Sequence, residues 1–575
     1  MTHVYNDPAV FKDDVIKGFA AAYPHYVQRV PGASGFVRAG GPLDGKVSVV
    51  IGGGSGHYPS YSGVTGTGFA DGAVLGDLFA SPSAEQIYRI ARAANGGAGV
   101  ILSFGNYAGD RLNFKVAADR LIADGIDTRI VFVTDDIASA SPDEQEKRRG
   151  IAGTFTVYKV AGAAAEAGAD LDEVERIMRS VNAATYSFGV AFEGCTMPGA
   201  DEPLFHVASG EMDFGLGIHG EPGISSAPWM PASELATRLV ETVLAERPSD
   251  ASGRAAVLLN GLGATKYEEL FALWGDVSDL LTAAGVELVS PEVGELVTSL
   301  DMAGCSLSVT WLDDELETYW TAPADTPAFR RGSAVPSTLF TTRRESVADE
   351  VEAVAEQGSE ASIAAAAVVR RAVVALNAVV EENKDYLGKI DAVAGDGDHG
   401  IGMSRGSTAA AEAARETEGG VQTVLAAAGA AFGDKAGGTS GILWGLLLDG
   451  VGKALGNTEA VTSQSAAEAV KQSAEELMAF SKASLGDKTM LDALFPFVDA
   501  LTAEVEGGAS LAAAWTTAAE VCRTAAEETS SLVPKIGRAR PLAERSMGTP
   551  DPGAVSMGMI VTAIGEVLAD TESNR

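Results

Sequence analysis

Residues 47–57 read VSVVIGGGSGH. A β-branched apolar run passes straight into glycines, which is the pattern of a buried strand meeting a tight turn. The pattern returns along the chain. VILSF at 100–104 runs into GNYAGD, IVFVT at 130–134 into DDIAS, and AVLL at 256–259 into NGLGATK. LSVTWL at 307–312 closes the series. Strands with no polar alternation need cover on both faces, and helical-period stretches such as 157–181 supply it. Residues 1–330 are therefore predicted to form an α/β domain, with a subdomain boundary near 185 where the helical pattern breaks at TYSFG.

The texture changes at 331–360. This stretch is polar and nearly free of periodic apolar residues, which reads as a linker. From 361 to 575 alanine, leucine and valine recur with helical spacing, as in SIAAAAVVRRAVVALNAVVEEN and SLAAAWTTAAEVCRTAAEE. Small residues let helices approach closely, so an all-α bundle is predicted. Glycine-rich connections interrupt it at GDGDHGIG, GDKAGGTSG, LGDKTM and DPGA.

Bulk properties exclude some function classes. At 575 residues the chain is too long for one core. Its formal net charge is −36, which repels nucleic acid and anionic lipid, so neither is an expected partner. Any polyphosphate ligand must be held by local cations or helix N-termini. Cys195, Cys305 and Cys522 are far apart and form no CxxC pair, which argues against disulfides and zinc and for a cytoplasmic setting. The opening residues MTHVYNDPAVFKDD lack the features of a secretory signal, and no run of about 18 apolar residues predicts a membrane span.

Asp391, Asp396 and Asp398 crowd one glycine-rich stretch, DAVAGDGDHG. Converging carboxylates repel one another without a cation, and Mg²⁺ favours a few carboxylates with phosphate oxygens. The same residues serve equally as Asx turns and helix caps. Thr439 and Ser440 lie in GGTSG ahead of an apolar helix, either as an anion-binding N-terminus or as a plain cap. Arg538 in GRAR is either a phosphate clamp or a surface arginine. In the first half, His57 follows the GGGSG run, Asp110 follows a strand as a candidate base, and His219 stands among glycines in GIHGEPG. A lone histidine is more often structural, but one exposed between flexible residues can be a nucleophile.

Together these motifs, in this order, resemble the dihydroxyacetone kinase family in its single-chain form. There an α/β ketose-binding K domain is fused to an ATP-binding L domain, a barrel of antiparallel helices. The resemblance covers nearly the whole chain except the linker. It implies an ATP-dependent kinase acting on a terminal hydroxyl of a short-chain ketose. It implies that His219 bonds to the substrate carbonyl as a hemiaminal, with His57 and Asp110 as acid/base partners and Gly54, Ser55 and Gly56 lining the substrate. It implies that Asp391, Asp396 and Asp398 hold a pair of Mg²⁺ ions. Contacts to ATP would come from His399, Gly400, Ile401, Gly402, Thr439, Ser440, Ser481, Met490, Arg538, Asp551, Pro552 and Gly553. A homodimer through the K domain is also implied.

The chain departs from the family pattern at Gly105, where a lysine is usual before Asn-Tyr. Loss of that side chain is expected to open space beside the carbonyl and admit a longer ketose such as erythrulose. Ser481 stands where glycine is usual, and RARPL lacks an aromatic residue near its proline. The alternative functions are a sugar-sensing regulatory module and a phosphotransferase-system subunit. The complete set of motifs in one chain favours the free-ATP kinase, and an FMN-cyclase side activity would use the same L-domain metals.

Overall fold

The computed structural model describes residues 4–332, 358–395, 397–536 and 540–573. The chain divides into two compact units, with the division between residues 349 and 350. Most of the expected linker, 333–357, lies outside the described residues.

In the N-terminal unit, α1 (Phe11–Ala22) precedes a six-stranded sheet. Its strands are β1 (Val27–Arg29), β2 (Gly35–Arg38), β3 (Ser48–Ser55), β4 (Gly72–Leu78), β5 (Val100–Gly105) and β6 (Thr128–Val133). Their order is β1-β2-β4-β3-β5-β6. The last four in that order run parallel, while β1 and β2 add an antiparallel edge. Alternate side chains of β3 point to opposite faces. Val50 packs with α2 (Ala84–Ala94) and α3 (Ala108–Ala123), whereas Val49 and Ile51 pack with α4 (Thr154–Glu166) and α5 (Leu171–Ala183). Burial on both faces explains the unbroken apolar runs.

A second, mostly antiparallel sheet begins at Thr185. It comprises β7 (Thr185–Glu193), β8 (Glu211–Phe214), β9 (Ser225–Pro228), β10 (Arg254–Gly261), β11 (Glu287–Leu288), β12 (Glu292–Gly294) and β13 (Ala303–Trp311). The order is β11-β10-β13-β7-β8-β9, with β12 also on β10. Val257 and Leu259 face α6 (Ala232–Leu244) and α7 (Tyr267–Ala283), while Ala256 and Leu258 face the core shared with the first sheet. The sheets are tied where Ser187 N donates to Asp135 O at 2.7 Å. Helix α8 (Asp314–Thr321) and the ribbon β14 (Ala324–Asp325) and β15 (Arg330–Arg331) complete the unit.

The C-terminal unit is helical: α9 (Glu360–Asp391), α10 (His399–Glu416), α11 (Val421–Ala436), α12 (Gly438–Leu455), α13 (Ser463–Ser481), α14 (Leu491–Glu506), α15 (Leu511–Glu528), the short α16 (Ala543–Ser546) and α17 (Pro552–Ser573). Each long helix packs against the next, and α17 returns to α9, so the ring closes into a barrel. Small residues set the spacing. A Cβ on Gly429 of α11 would stand 2.7 Å from Gly445 O of α12, so only glycine permits that approach. Contrary to the sequence expectation, α9 and α17 are each long and apolar enough to cross a membrane by length and composition. Here they pack against each other, and Arg371 of α9 donates to Thr571 Oγ1 of α17 at 2.6 Å.

Three local expectations need correction. The run Gly52–Ser55 belongs to β3 rather than following it. It stays extended because the strand is closely approached: a Cβ on Gly54 would lie 2.7 Å from Phe79 C. The GGTSG stretch is not a loop before a helix. Gly437, with φ of 64°, is the N-cap, and Gly438 to Gly441 form the first turn of α12. Asp110 stands in the first turn of α3, one step beyond the end of β5.

Candidate active site

The end of β3 delivers His57 into the seam between the two sheets, where its side chain is buried. Its Nδ1 meets the carbonyl of Thr298 at 2.8 Å, and a carbonyl only accepts, so Nδ1 carries the proton. Its Nε2 lies 3.0 Å from Nε2 of His219. Burial, with the charge of His219 next, holds His57 down at about 3. Phe79 stacks on the His57 ring at 5.1 Å, and Tyr107 meets the His219 ring edge to face at 4.5 Å.

His219 lies in the turn between β8 and β9. Its backbone N donates to Glu221 Oε2 at 3.0 Å, and its Nδ1 lies 3.1 Å from Glu221 Oε1. Burial alone would raise the Glu221 carboxyl, but the charge and hydrogen bond of His219, with Arg149, hold it well below the usual carboxylate range. Arg149 Nε donates to Asp136 Oδ2 at 2.8 Å, which fixes that guanidinium. The turn is possible because residue 217 is glycine: a Cβ there would stand 2.1 Å from Glu221 Oε2.

Asp110 is buried beside Tyr61 and Tyr158, whose hydroxyls are pushed up by burial first and by its charge among the further causes. Tyr61 in turn abuts β3, its hydroxyl 2.3 Å from where a Cβ of Gly53 would sit. Ser55 Oγ donates to Gly76 O at 2.6 Å, and Gly56 O accepts from Leu300 N at 2.8 Å. Thus His57, His219 and Gly56 meet at the seam with the 298–300 loop, whereas Ser55 turns its hydroxyl to β4 and Asp110 lies beside Tyr61 and Tyr158. The space expected to be open at Gly105 is filled. A Cβ there would lie 3.0 Å from Tyr107 Cε2 and 3.1 Å from Gly150 O. The Tyr107 ring has folded against the bare backbone, its hydroxyl donating to Gly150 O at 3.1 Å.

The second cluster crowns one end of the helical barrel. Because successive helices reverse, the N-termini of α10, α12, α14 and α17 gather there. His399, buried in the first turn of α10, ties three of them: Nδ1 lies 3.2 Å from Ser440 Oγ of α12 and Nε2 3.1 Å from Ser556 Oγ of α17. A Cβ on Gly553 of α17 would lie 3.4 Å from Met490 Cβ, which brings in α14. Gathered helix N-termini favour anions. Gly400, Ile401 and Gly402 continue the first turn of α10, Thr439 shares that of α12, and Pro552 opens α17. Ser481 ends α13, its Oγ donating to Met478 O at 3.3 Å.

Acidic groups share this end. Asp391 Oδ2 accepts from His399 N at 3.2 Å. Asp551 is pushed up to about 7, by burial first and then by the charges of Asp391 and Asp492, despite a bond from Ala554 N and the charge of Lys488. The charges of Asp391, Asp492 and Asp551 thus act on one another at the end where the helix N-termini favour an anion. Asp398 is the N-cap position of α10. Asp396 and Arg538 lie outside the described residues. Among the described residues no group of three His, Cys, Asp or Glu side chains forms a metal cluster.

Sequence reasoning missed Glu221 and Arg149. Glu221 sits inside the GIHGEPG motif, two residues after the histidine, and that spacing in a glycine-rich turn was the available signal. Arg149 is joined to the site only by the fold.

Residues 17–328 match the Dak1 domain and residues 393–566 the DAK2 domain. The chain is 53% identical to the D-erythrulose kinase of Mycolicibacterium smegmatis, over 99% of this chain and 99% of that one. It is 51% identical to the L-erythrulose kinase of Pectobacterium atrosepticum, over 100% of this chain and 98% of that one. Among solved structures, the dihydroxyacetone kinase from C. freundii in complex with AMP-PNP and Mg²⁺ aligns with a TM-score of 0.52 and 29% identity, over 98% of this chain and 99% of that one. With both domains in one polypeptide and such identity over its whole length, the chain belongs to the dihydroxyacetone kinase family in its single-chain form.

Proposed function

We propose that this chain is an ATP-dependent kinase that phosphorylates a terminal hydroxyl of a short-chain ketose held as a hemiaminal on His219, erythrulose before dihydroxyacetone because its D- and L-erythrulose kinase relatives, and not the filled space at Gly105, support that order. The observation that carries it is the approach of His219 Nε2 to His57 Nε2 at 3.0 Å, in a turn that leaves the His219 ring partly exposed. A small polar sugar offers little apolar surface, so a reversible bond to its carbonyl supplies the positioning that contact area cannot. It also selects ketoses over glycerol, which has no carbonyl.

In this reading His219 Nε2 attacks the carbonyl carbon, and the carbonyl oxygen gains a proton by way of His57. Asp110 then takes the proton of the terminal hydroxyl as that oxygen attacks the γ-phosphorus of ATP, help typically worth about 10²–10⁴-fold. The helix N-termini around His399, Thr439, Ser440, Met490 and Gly553, together with Arg538, would orient the phosphates. Asp391, Asp396 and Asp398 would hold a pair of Mg²⁺ ions, which when bound neutralise charge on the phosphate oxygens. We also propose a cytoplasmic setting, supported by three free buried cysteines, and pairing through the Dak1 domain as the resemblance implies.

The test is ADP release with ATP and Mg²⁺ across a panel of D-erythrulose, L-erythrulose, dihydroxyacetone and glycerol. Turnover of ketoses and not of glycerol is expected, with one erythrulose preferred. Turnover of glycerol equal to that of the ketoses, or none with any of them, defeats the proposal.

A further inference from the structure

The hydrogen-bond partners of the two histidines fix the positions of their protons. Thr298 offers His57 Nδ1 only a carbonyl, at 2.8 Å, so that nitrogen is protonated. Glu221 offers His219 Nδ1 only a carboxylate oxygen, at 3.1 Å, and takes the backbone N–H of the same residue on its other oxygen at 3.0 Å. Both Nε2 atoms therefore turn toward each other at 3.0 Å, and a proton shared between them gives the pair one positive charge. Glu221 is itself held. Gly217 clears the space for its carboxylate, and Arg149, anchored on Asp136 and on the carbonyl of Gly215 at 3.2 Å, flanks the same glycine.

We propose that Glu221 is a positioning residue for the covalent step: it keeps a proton on His219 Nδ1, so that Nε2 is the nucleophile once the shared proton has passed to His57, and it balances the positive charge that the adduct fixes on the His219 ring. The inference rests on the hemiaminal reading. When the Nε2 lone pair bonds to the carbonyl carbon, the C–O π bond breaks and its electron pair goes to oxygen. That oxygen takes the proton that His57 Nε2 holds after passage from His219. The product is a neutral carbinol on an imidazolium that still carries its Nδ1 proton. Total charge is unchanged, and the positive ring now lies against the Glu221 carboxylate. With a neutral partner the adduct loses a charge-assisted hydrogen bond and the free ring loses its tautomer preference.

The test uses the full chain and [2-¹³C]dihydroxyacetone without ATP, read by ¹³C NMR as a broad, protein-bound tetrahedral C2 signal distinct from the sharp signal of the free sugar's hydrate. Glu221→Gln, nearly isosteric, is expected to lower the adduct's equilibrium constant by roughly 10- to 100-fold. Glu221→Asp keeps the charge and is expected to recover part of that loss, which a purely structural role would not favour. Unchanged adduct in Glu221→Gln, or equal loss in both variants, overturns the inference while leaving the hemiaminal intact. A wild-type spectrum with no protein-bound tetrahedral signal beyond that of the free hydrate overturns both.

Discussion

Nε2 of His57 and Nε2 of His219 face each other at 3.0 Å, with the rings edge to face and their centroids 4.7 Å apart. Neither ring could hold this pose alone. The loop at 298–300 fixes one from below, and the turn between β8 and β9 fixes the other through Glu221. The pair forms where two sheets of different topology meet, and each sheet supplies one imidazole.

Asp110→Asn should leave ketose capture intact and slow phosphoryl transfer. The expected fall in kcat is about 10²–10⁴-fold with a KM for ATP within error of wild type. Steady-state kinetics with saturating ketose will measure it. A change confined to KM would assign Asp110 to binding instead.

His57 gives the native state a defined response to acid. Its unfolded value is about 6.5, and the folded protein holds it at about 3. Between those values the unfolded chain binds the extra proton, so native stability falls as pH drops through the window and is fully present above it. Thermal melts from pH 7 to pH 4 should show a steeper loss for wild type than for His57→Asn. Parallel curves would mean that burial of this ring carries no linkage.

Gly105→Ala tests whether the wall beside the carbonyl is closed. The new Cβ would meet Tyr107 and Gly150 at about 3 Å, so the Tyr107 ring must shift. Overpacking of this kind costs about 1–3 kcal/mol. KM for the ketose should rise several-fold, with KM for ATP unchanged. An unaltered KM for the ketose would show that the site has slack.

Asp391→Asn separates the two units. Loss of one charge from the acidic end of the barrel should lower kcat by roughly 100-fold or more and raise the Mg²⁺ concentration needed for half-maximal rate. The ketose adduct, read by NMR, should be unchanged. Full activity at ordinary Mg²⁺ would remove this aspartate from the metal site.

The strands were legible because β3, β5 and β10 are buried on both faces and so carry unbroken apolar runs, and the edge strand β6 carries one although one of its faces is only partly covered. The helical barrel was legible from its small residues, of which Gly429 against Gly445 is an instance. Glycine misled where it serves packing instead of turning, as at Gly54, and the first turn of α12 read as loop for the same reason. The lack of a side chain at Gly105 suggested empty space, but a neighbouring ring two residues on filled it. His57, His219 and the acidic end were visible as motifs. Arg149 was not, because its charge reaches Glu221 only after a distant loop folds under the turn.

A crystal of the protein soaked with erythrulose puts the covalent step to its plainest trial. Continuous density from His219 Nε2 to the sugar's second carbon, with that carbon tetrahedral and Glu221 still on Nδ1, is the expected result. A ketose bound with a planar carbonyl, clear of the imidazole, would contradict it.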